Sequence, residues 1–361
     1  MKITTVPYEE KYEDVWNEFV YNHPLGWFWH TSYRLKNALG NTFKYYSENH
    51  SFLMFENKRV LAIVPLTLHK NKENGKWLAH YSESGIPCPL TDPGLSEKRK
   101  ERVLRKVFRY VDEWAIEKNV SMIEFTLHVT CKIASIHPIS NPFTKYGYID
   151  SSFHTHTLPL KEDELVLFNN IGTNHKRSIK EADGKIIVKI YDNTNITKET
   201  FIRFNEFYFK TAGKITRPQL VFDLVYGYIR NGYAILTEAL YKDQTVGVVV
   251  SLLYKKESYY LMGASDRGFK ACPIAHYMHW EIIRYLLRNR FVSYEIGFQD
   301  YGPTIFKVPS VKERNISKFK RGFGGICITH YRGEKYYSKE YFDQVYSRRI
   351  KEYKDAYFRD V

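Results

Sequence analysis

The stretch YAILTEALYKDQTVGVVVSLLY, residues 233–254, decides the architecture of the chain. Tyr233 to Tyr241 and Val246 to Tyr254 are apolar, β-prone runs, and the short polar Lys242-Asp243-Gln244 between them reads as the turn of a hairpin. A third strand follows at Ser258 to Gly263. Next come a loop from Ala264 to Cys272, a helix from Pro273 to about Asn289, and a strand from Val292 to Gly297. Pro273 suits the first turn of that helix, where a backbone N–H would lack an intrahelical acceptor anyway.

Read outward from there, the first half of the chain repeats the order. Ser51 to Phe55 and Val60 to Leu66 form a hairpin across Glu56-Asn57-Lys58-Arg59, and a third strand lies at about Trp77 to Tyr81. A loop rich in Gly, Pro and Ser (Ser82 to Ser96) then leads into a basic amphipathic helix, Glu97 to Lys118, and a strand, Ser121 to Leu127. Hairpin, strand, loop, helix, strand occurs twice, which reads as an old duplication. Ahead of the first copy, Val15, Trp16, Phe19 and Val20 share one face of a helix from about Tyr12 to Tyr21, and a second helix, Tyr33 to Leu39, stops at Gly40.

Segments outside the repeat are a strand at His154 to Leu160, the basic stretch Asn174 to Lys180, a strand at Lys185 to Tyr191, and helices around Lys198 to Thr211 and Pro218 to Arg230. The expected domains are 1–150, 151–335 and a C-terminal amphipathic helix, 336–361. Phe342, Tyr346, Ile350, Tyr353 and Tyr357 recur there at helical spacing. That stripe is expected to pack on the second domain, with a membrane surface as the other reading.

A length of 361 residues suits two globular units, and 43% hydrophobic residues supply their cores. Lys and Arg number 54 against 40 Asp and Glu, a net charge of +14, so the surface attracts anions. Phosphate carriers are the partners this favours: nucleic acid, nucleotide-linked metabolites, phospholipid headgroups. Cys88, Cys131, Cys272 and Cys327 form no CxxC pair, which indicates neither a zinc site nor a redox dithiol and fits a reducing compartment. The N-terminus lacks the apolar core of a secretory signal and no apolar run approaches the ~20 residues of a membrane span, so the protein is expected to be cytoplasmic and soluble. His276 with His279, and His154 with His156, have no carboxylate or cysteine at matching spacing and read as packed or surface histidines. Glycine spacing offers neither GxGxxG nor a P-loop.

A strand that ends in a loop and feeds a helix gathers unpaired N–H groups at the positive end of the helix dipole, a place for a phosphate or an oxyanion. In the second copy this is Met262 to Gly268 ahead of Pro273. Asp266 there is a candidate base, or else a cap for backbone donors. Acyltransferases of the GNAT superfamily hold their donor at such a place. Their acyl-CoA signature is absent here: Arg321-Gly322-Phe323-Gly324-Gly325-Ile326 fails it at the last position.

The order of elements, with Ala264-Ser265-Asp266, Trp280-Glu281-Ile282-Ile283, Tyr294-Glu295-Ile296-Gly297 and Ile316-Ser317-Lys318-Phe319-Lys320-Arg321-Gly322-Phe323-Gly324-Gly325, resembles the FemABX peptidyltransferases and their bacterial relatives in polysaccharide biosynthesis. The first half matches more loosely, through Pro24 to Leu39 and Val64-Pro65-Leu66. The resemblance implies an α/β (α+β) fold of tandem GNAT-like domains, each a mixed, mostly antiparallel sheet flanked by helices, with the transfer site on the second. It places Phe319 and Lys320 near the reaction centre, where an ammonium would stabilise the charge of a tetrahedral intermediate. Lys36 and Arg217 would grip the diphosphate of a nucleotide-linked acceptor, and Ser265, Tyr33 and Lys318 complete the expected substrate contacts. The long helical hairpin of some family members has no counterpart here, since the helices between Thr197 and Asn231 are short.

The implied activity moves an acyl or aminoacyl group from an activated ester or thioester to an amine of a cell-envelope glycan or peptidoglycan precursor. No tightly bound cofactor is expected; acyl-CoA or aminoacyl-tRNA enters as co-substrate. Expected partners are a nucleotide-linked or lipid-linked sugar precursor, tRNA and a membrane surface, but not DNA. Amine attack needs no covalent enzyme intermediate, in keeping with the lack of a nucleophile paired to a histidine. A rival reading is a non-catalytic RNA-binding protein, with 30 Tyr and 23 Phe as stacking platforms beside the basic surface.

Overall fold

The computed structural model describes residues 3–40, 45–80, 85–128, 140–213, 217–266 and 268–358. It divides into two compact units. The first comprises Met1–Phe153, Tyr301–Val311 and Thr329–Val361, the second His154–Asp300 and Lys312–Ile328. Among the described residues no helix is long and apolar enough to cross a membrane.

In the first unit, β1 (Ile3–Pro7) is followed by α1 (Glu13–Asn22), α2 (Ser32–Gly40), β2 (Tyr45–Asn49), β3 (Phe52–Glu56), β4 (Arg59–Val64), β5 (Thr67–Asn71), β6 (Trp77–Ala79), β7 (Ile86–Pro87), β8 (Leu90–Thr91), α3 (Glu97–Glu117), β9 (Val120–Leu127) and β10 (Ile149–Asp150). The hairpin read at 51–66 exists as β3 and β4, with Asn57 at φ 56 in its turn. It belongs, however, to a separate four-stranded sheet ordered β1-β3-β4-β8. The strand expected to join it, β6, pairs instead with β5, which pairs with β2. β2 is a half-exposed strand and β5 ends in polar residues, so neither carries an apolar run that a reader of the sequence would mark.

The second unit contains β11 (Phe153–Pro159), α4 (Glu164–Asn170), α5 (Thr173–Ala182), β12 (Ile187–Tyr191), α6 (Lys198–Ala212), α7 (Gln219–Arg230), β13 (Ala234–Tyr241), β14 (Gln244–Tyr254), β15 (Glu257–Ser265), α8 (Ile274–Arg288), β16 (Ser293–Gln299) and α9 (Val311–Arg321). Its sheet runs β12-β13-β14-β15-β16-β11. Helices cover both faces. On one, α5 and α8 bury Ile179, Met278 and Ile282 in a core shared with Ile235, Ala239, Val249 and Leu253. Buried Phe201, Phe204, Phe222 and Val225 of α6 and α7 pack on the strands β13 to β15. A sheet covered on both sides has no solvated face, hence the unbroken apolar run of β14.

The duplication is visible in the ladders. Along β13-β14-β15-β16-β11 the pairings are antiparallel, antiparallel, parallel, antiparallel. The first unit repeats that series along β2-β5-β6-β9 and then β17 (Ile326–Tyr336). The true counterpart of β14 is therefore β5, and β3 with β4 is an insertion into the first copy.

The C-terminal helix, α10 (Lys339–Tyr357), packs on the first unit and not, as the sequence suggested, on the second. Phe342 and Tyr346 stack at 4.5 Å and meet Tyr336 of β17. Arg349 grips the fully buried Glu334 carboxylate through two bonds of 2.7 and 2.9 Å. A carboxylate buried on β17 is the anchor, and nothing in an aromatic stripe announces it.

Candidate active site

Strands β15 and β16 are nine and seven residues long, yet their parallel pairing covers only Glu257 with Ser293, Ser258 with Tyr294, and Tyr259 with Glu295. Beyond Tyr259 and Glu295 the strands part. Each keeps its outer neighbour, since β14 pairs with β15 as far as Ser265 and β11 pairs with β16 as far as Gln299. The result is a wedge between two inner strand edges whose backbone groups are turned toward each other without a ladder. In the first unit the corresponding strands β6 and β9 also stop pairing early, at Ala79 and Ile123. There β7 fills the gap and pairs Ile86 with Phe125 and Pro87 with Thr126. Among the described residues only the second unit leaves its wedge open.

One rim of the wedge is the end of β15 and the loop to α8. Ser265 is half-buried at the strand end. Asp266 is exposed, its N–H donates to the Val246 carbonyl at 2.9 Å, and its carboxylate accepts from the Gly268 N–H at 2.8 Å. That carboxylate shapes the loop, which is the capping alternative read from the sequence. Arg267 lies outside the described residues, as does Cys131.

The other rim is built by α9, an element the sequence motif did not reveal as a helix. Lys320 stands in its last turn, half-buried, and donates from Nζ to the Phe298 carbonyl at 3.2 Å. Gly297, at φ +93, provides the seat: a Cβ there would come within 3.2 Å of Nζ. The glycines that follow Lys320 bring α9 close to its neighbours. A Cβ on Gly322 would lie 2.2 Å from the His175 ring, and Gly322 accepts from the Gly172 N–H at 2.9 Å. His156 Nε2 lies 2.5 Å from the Gly324 carbonyl and donates to it. Arg321 reaches Gln299 Oε1 at 2.9 Å, and Lys318 is exposed.

Phe319 sits inside a box of aromatic rings, with centroids 5.3 Å from His175, 4.9 Å from His276, 5.8 Å from His279 and 5.3 Å from Phe323. Burial, followed by the charges of Lys320, His276 and His175, holds His279 down to about 3. Burial and the neighbouring His175 hold His276 down to about 4, and burial lowers His175 too. All three are therefore neutral near pH 7. His276 and His279 are packed histidines, one of the two readings the sequence offered, and His175 of the basic stretch joins them around the Phe-Lys pair. The only sequence signal for this was the i, i+3 spacing of His276 and His279 on the helix that follows the loop.

Arg217 donates to the Tyr208 hydroxyl at 3.2 Å. Its charge also acts on the phenol of Tyr260, the first residue of β15 past the paired segment, which burial pushes up to about 12. Lys36 and Tyr33 belong to α2 of the first unit. Lys36 is exposed and ion-paired to Glu13 at 2.9 Å, and the Ser32 hydroxyl donates to the same carboxylate at 2.8 Å. Within the second unit the structure thus gathers Phe319, Lys320, Ser265 and Asp266 on the rims of one wedge.

Residues 214–307 match the model of the acetyltransferase (GNAT) domain. That stretch, which carries α7 to β16 of the second unit, is a GNAT acyltransferase domain. Over the whole chain the fold is similar to that of FemX, with 13% identity, TM-score 0.63, and coverage of 96% of this chain and 99% of that one. It is also similar to L-PGS from Bacillus licheniformis (11% identity, TM-score 0.55, 97% and 99% covered). A tandem GNAT protein from the clavulanic acid biosynthesis pathway shares it as well (12% identity, TM-score 0.53, 93% and 98% covered). The tandem arrangement expected from the sequence is the arrangement of this GNAT acyltransferase. No curated protein matches the chain.

Proposed function

We propose that the chain transfers an acyl or aminoacyl group from an activated ester or thioester to an amine of a cell-envelope glycan or peptidoglycan precursor. The observation that carries this reading is the open wedge of the second unit with the Lys320 ammonium seated at its rim. Backbone groups along β15 and β16 can bind an extended, amide-bearing donor in the way a strand is bound. When the acceptor amine attacks the activated carbonyl carbon, a C–N bond forms and the carbonyl oxygen takes the charge. Lys320 offsets that charge. Collapse breaks the bond to sulfur or oxygen, and the amine proton leaves with the thiol or hydroxyl or passes to water. Asp266 stands at the rim as a candidate acceptor for that proton.

The wedge suits the amide-bearing arm of an acyl thioester, whereas the missing acyl-CoA signature and the resemblance to a family that uses aminoacyl-tRNA favour an aminoacyl ester, so both donors enter the test. A net charge of +14 suits either a tRNA or the phosphates of a nucleotide-linked or lipid-linked acceptor. Within the second unit we assign Arg217 and Lys318 to those groups; Lys36 and Tyr33 are candidates within the first unit by itself. The RNA-binding alternative loses support, because Phe52, Phe125, Phe201, Phe204, Phe222 and Tyr294 are fully buried in the cores, while Tyr21, Tyr46, Tyr301, Tyr357 and Phe358 are exposed at separate places along the chain.

The test is mass spectrometry of amine-bearing nucleotide-sugar and muropeptide acceptors incubated with the protein and, in separate arms, acyl-CoA or charged tRNA. A mass gain of one acyl or aminoacyl group that requires Lys320 is expected. No gain with any donor, or the same gain with Lys320→Ala, overturns the reading.

A further inference from the structure

The geometry points to His279 as a second donor to the oxyanion, presenting Nε2–H beside the Lys320 ammonium, with Tyr294 as the positioning residue that selects this tautomer. The inference rests on the transfer reading and adds to it a catalytic group that no sequence motif marked.

His279 lies on α8 over the point where the wedge opens. Its ring centroid is 5.3 Å from that of Tyr260, the first residue of β15 past its pairing with β16, and 6.0 Å from that of Tyr294, which lies within that pairing. Phe319 and Phe323 of the Lys320 element flank the same ring. His279 is buried, with 8% of the residue exposed.

The hydrogen bonds decide the tautomer. Nδ1 is 3.1 Å from the Tyr294 hydroxyl. Tyr294 is completely buried, and burial raises its phenol far above the usual tyrosine range, so it keeps its single proton at every physiological pH. That proton has one good acceptor, Nδ1. The buried Ser251 hydroxyl makes no hydrogen bond among the described residues, so it does not compete with Nδ1 for that proton. A neutral imidazole that accepts at Nδ1 carries its hydrogen on Nε2. The ring is kept neutral by burial and by the groups around it: Lys320 on α9, His276 on its own helix and His175 on α5. Among the described residues Nε2 makes no hydrogen bond, so this donor is unspent.

A neutral N–H is the right partner for Lys320. Two adjacent cations would repel one another, whereas a neutral imidazole donates to an oxyanion without holding a charge in the empty site. Loss of one such donor typically lowers kcat about 10²- to 10³-fold.

Ring-¹⁵N-labelled full-length protein tests the tautomer. His279 is expected to show a protonated Nε2 and an unprotonated Nδ1, with no titration between pH 8 and about 5. Tyr294→Phe should turn this into a mixture of tautomers. In the transfer assay His279→Leu should lose about 10²- to 10³-fold in kcat with donor KM little changed. His279→Gln, whose amide N–H reaches the same place, should recover most of that loss. A proton on Nδ1, titration near pH 6.5, or a folded His279→Leu within threefold of the wild type would each overturn the inference. Should His279→Leu fail to fold, the labelled wild type and Tyr294→Phe still decide the matter. Wild-type protein that transfers nothing would overturn the transfer reading and this chemistry with it, whereas undiminished transfer by His279→Leu overturns the inference alone.

Discussion

Truncating Lys320 to alanine removes an ammonium that donates to the Phe298 carbonyl at 3.2 Å. A charge-assisted hydrogen bond of this kind contributes about 1.5–3 kcal/mol to stability, so circular dichroism and a urea midpoint accompany the kinetics to show that the variant is folded. The transition state should not tolerate the change, because the charge on the intermediate would then face the neutral rings of Phe319, His276 and His279. Lys320→Ala is expected to lower kcat about 10²- to 10³-fold and to leave the acceptor KM within about threefold, read from steady-state kinetics on both substrates. A loss confined to KM would make the residue a phosphate anchor and not a stabiliser of the reaction. Lys320 was legible in the sequence through its motif. The histidines were not, because the residues packed around an imidazole come from elements far apart in the chain, and local spacing carries no record of them.

At the scale of the element, α9 is where sequence and structure differ most usefully. Its residues, Val311 to Arg321, bury only Ser317 fully, so no apolar stripe at helical spacing marks it. α5 escapes notice for a similar reason, with only Ile179 and Ala182 fully buried. By contrast β13 and β14 are buried almost throughout and could be read directly. What fixes α9 is close approach: the backbone of Gly322 touches the His175 ring and bonds to Gly172. Gly322→Ala forces a Cβ to within 2.2 Å of that ring, and since His175 Nε2 is tied to the Phe319 carbonyl at 2.8 Å, the ring cannot simply swing aside. Such overpacking costs about 1–3 kcal/mol. Urea unfolding should show a lowered midpoint at unchanged slope, accompanied by weaker transfer because Lys320 moves with its helix. A midpoint equal to that of the wild type would mean that the His175 contact does not hold α9.

For the whole molecule the tandem plan was legible because order along the chain survives duplication, while the assignment of copies was not. The first-unit hairpin most visible as a pattern is an insertion, and the strand that closes the first wedge, β7, is two residues long. The two copies also share a trait set by their interiors. Each buries histidines in the neutral form: His30 and His69 in the first, held to about 3 chiefly by burial, and His276 and His279 in the second. In the unfolded chain these rings bind protons below about pH 6.5; in the native state they do so only near pH 3 to 4. Between those limits the unfolded state holds more protons, so stability falls as the pH falls. Most paired carboxylates act in the same direction only at lower pH, where they protonate; Glu124, raised to about 7 chiefly by burial, opposes the decline, but as one carboxyl against four rings. Urea midpoints measured from pH 7.5 to 4.5 should therefore begin to decline near pH 6.5. His279→Gln, which removes one of the four rings, should flatten the decline. A midpoint constant down to pH 5 would show that these imidazoles are not held neutral, and would remove the basis for a neutral donor beside Lys320.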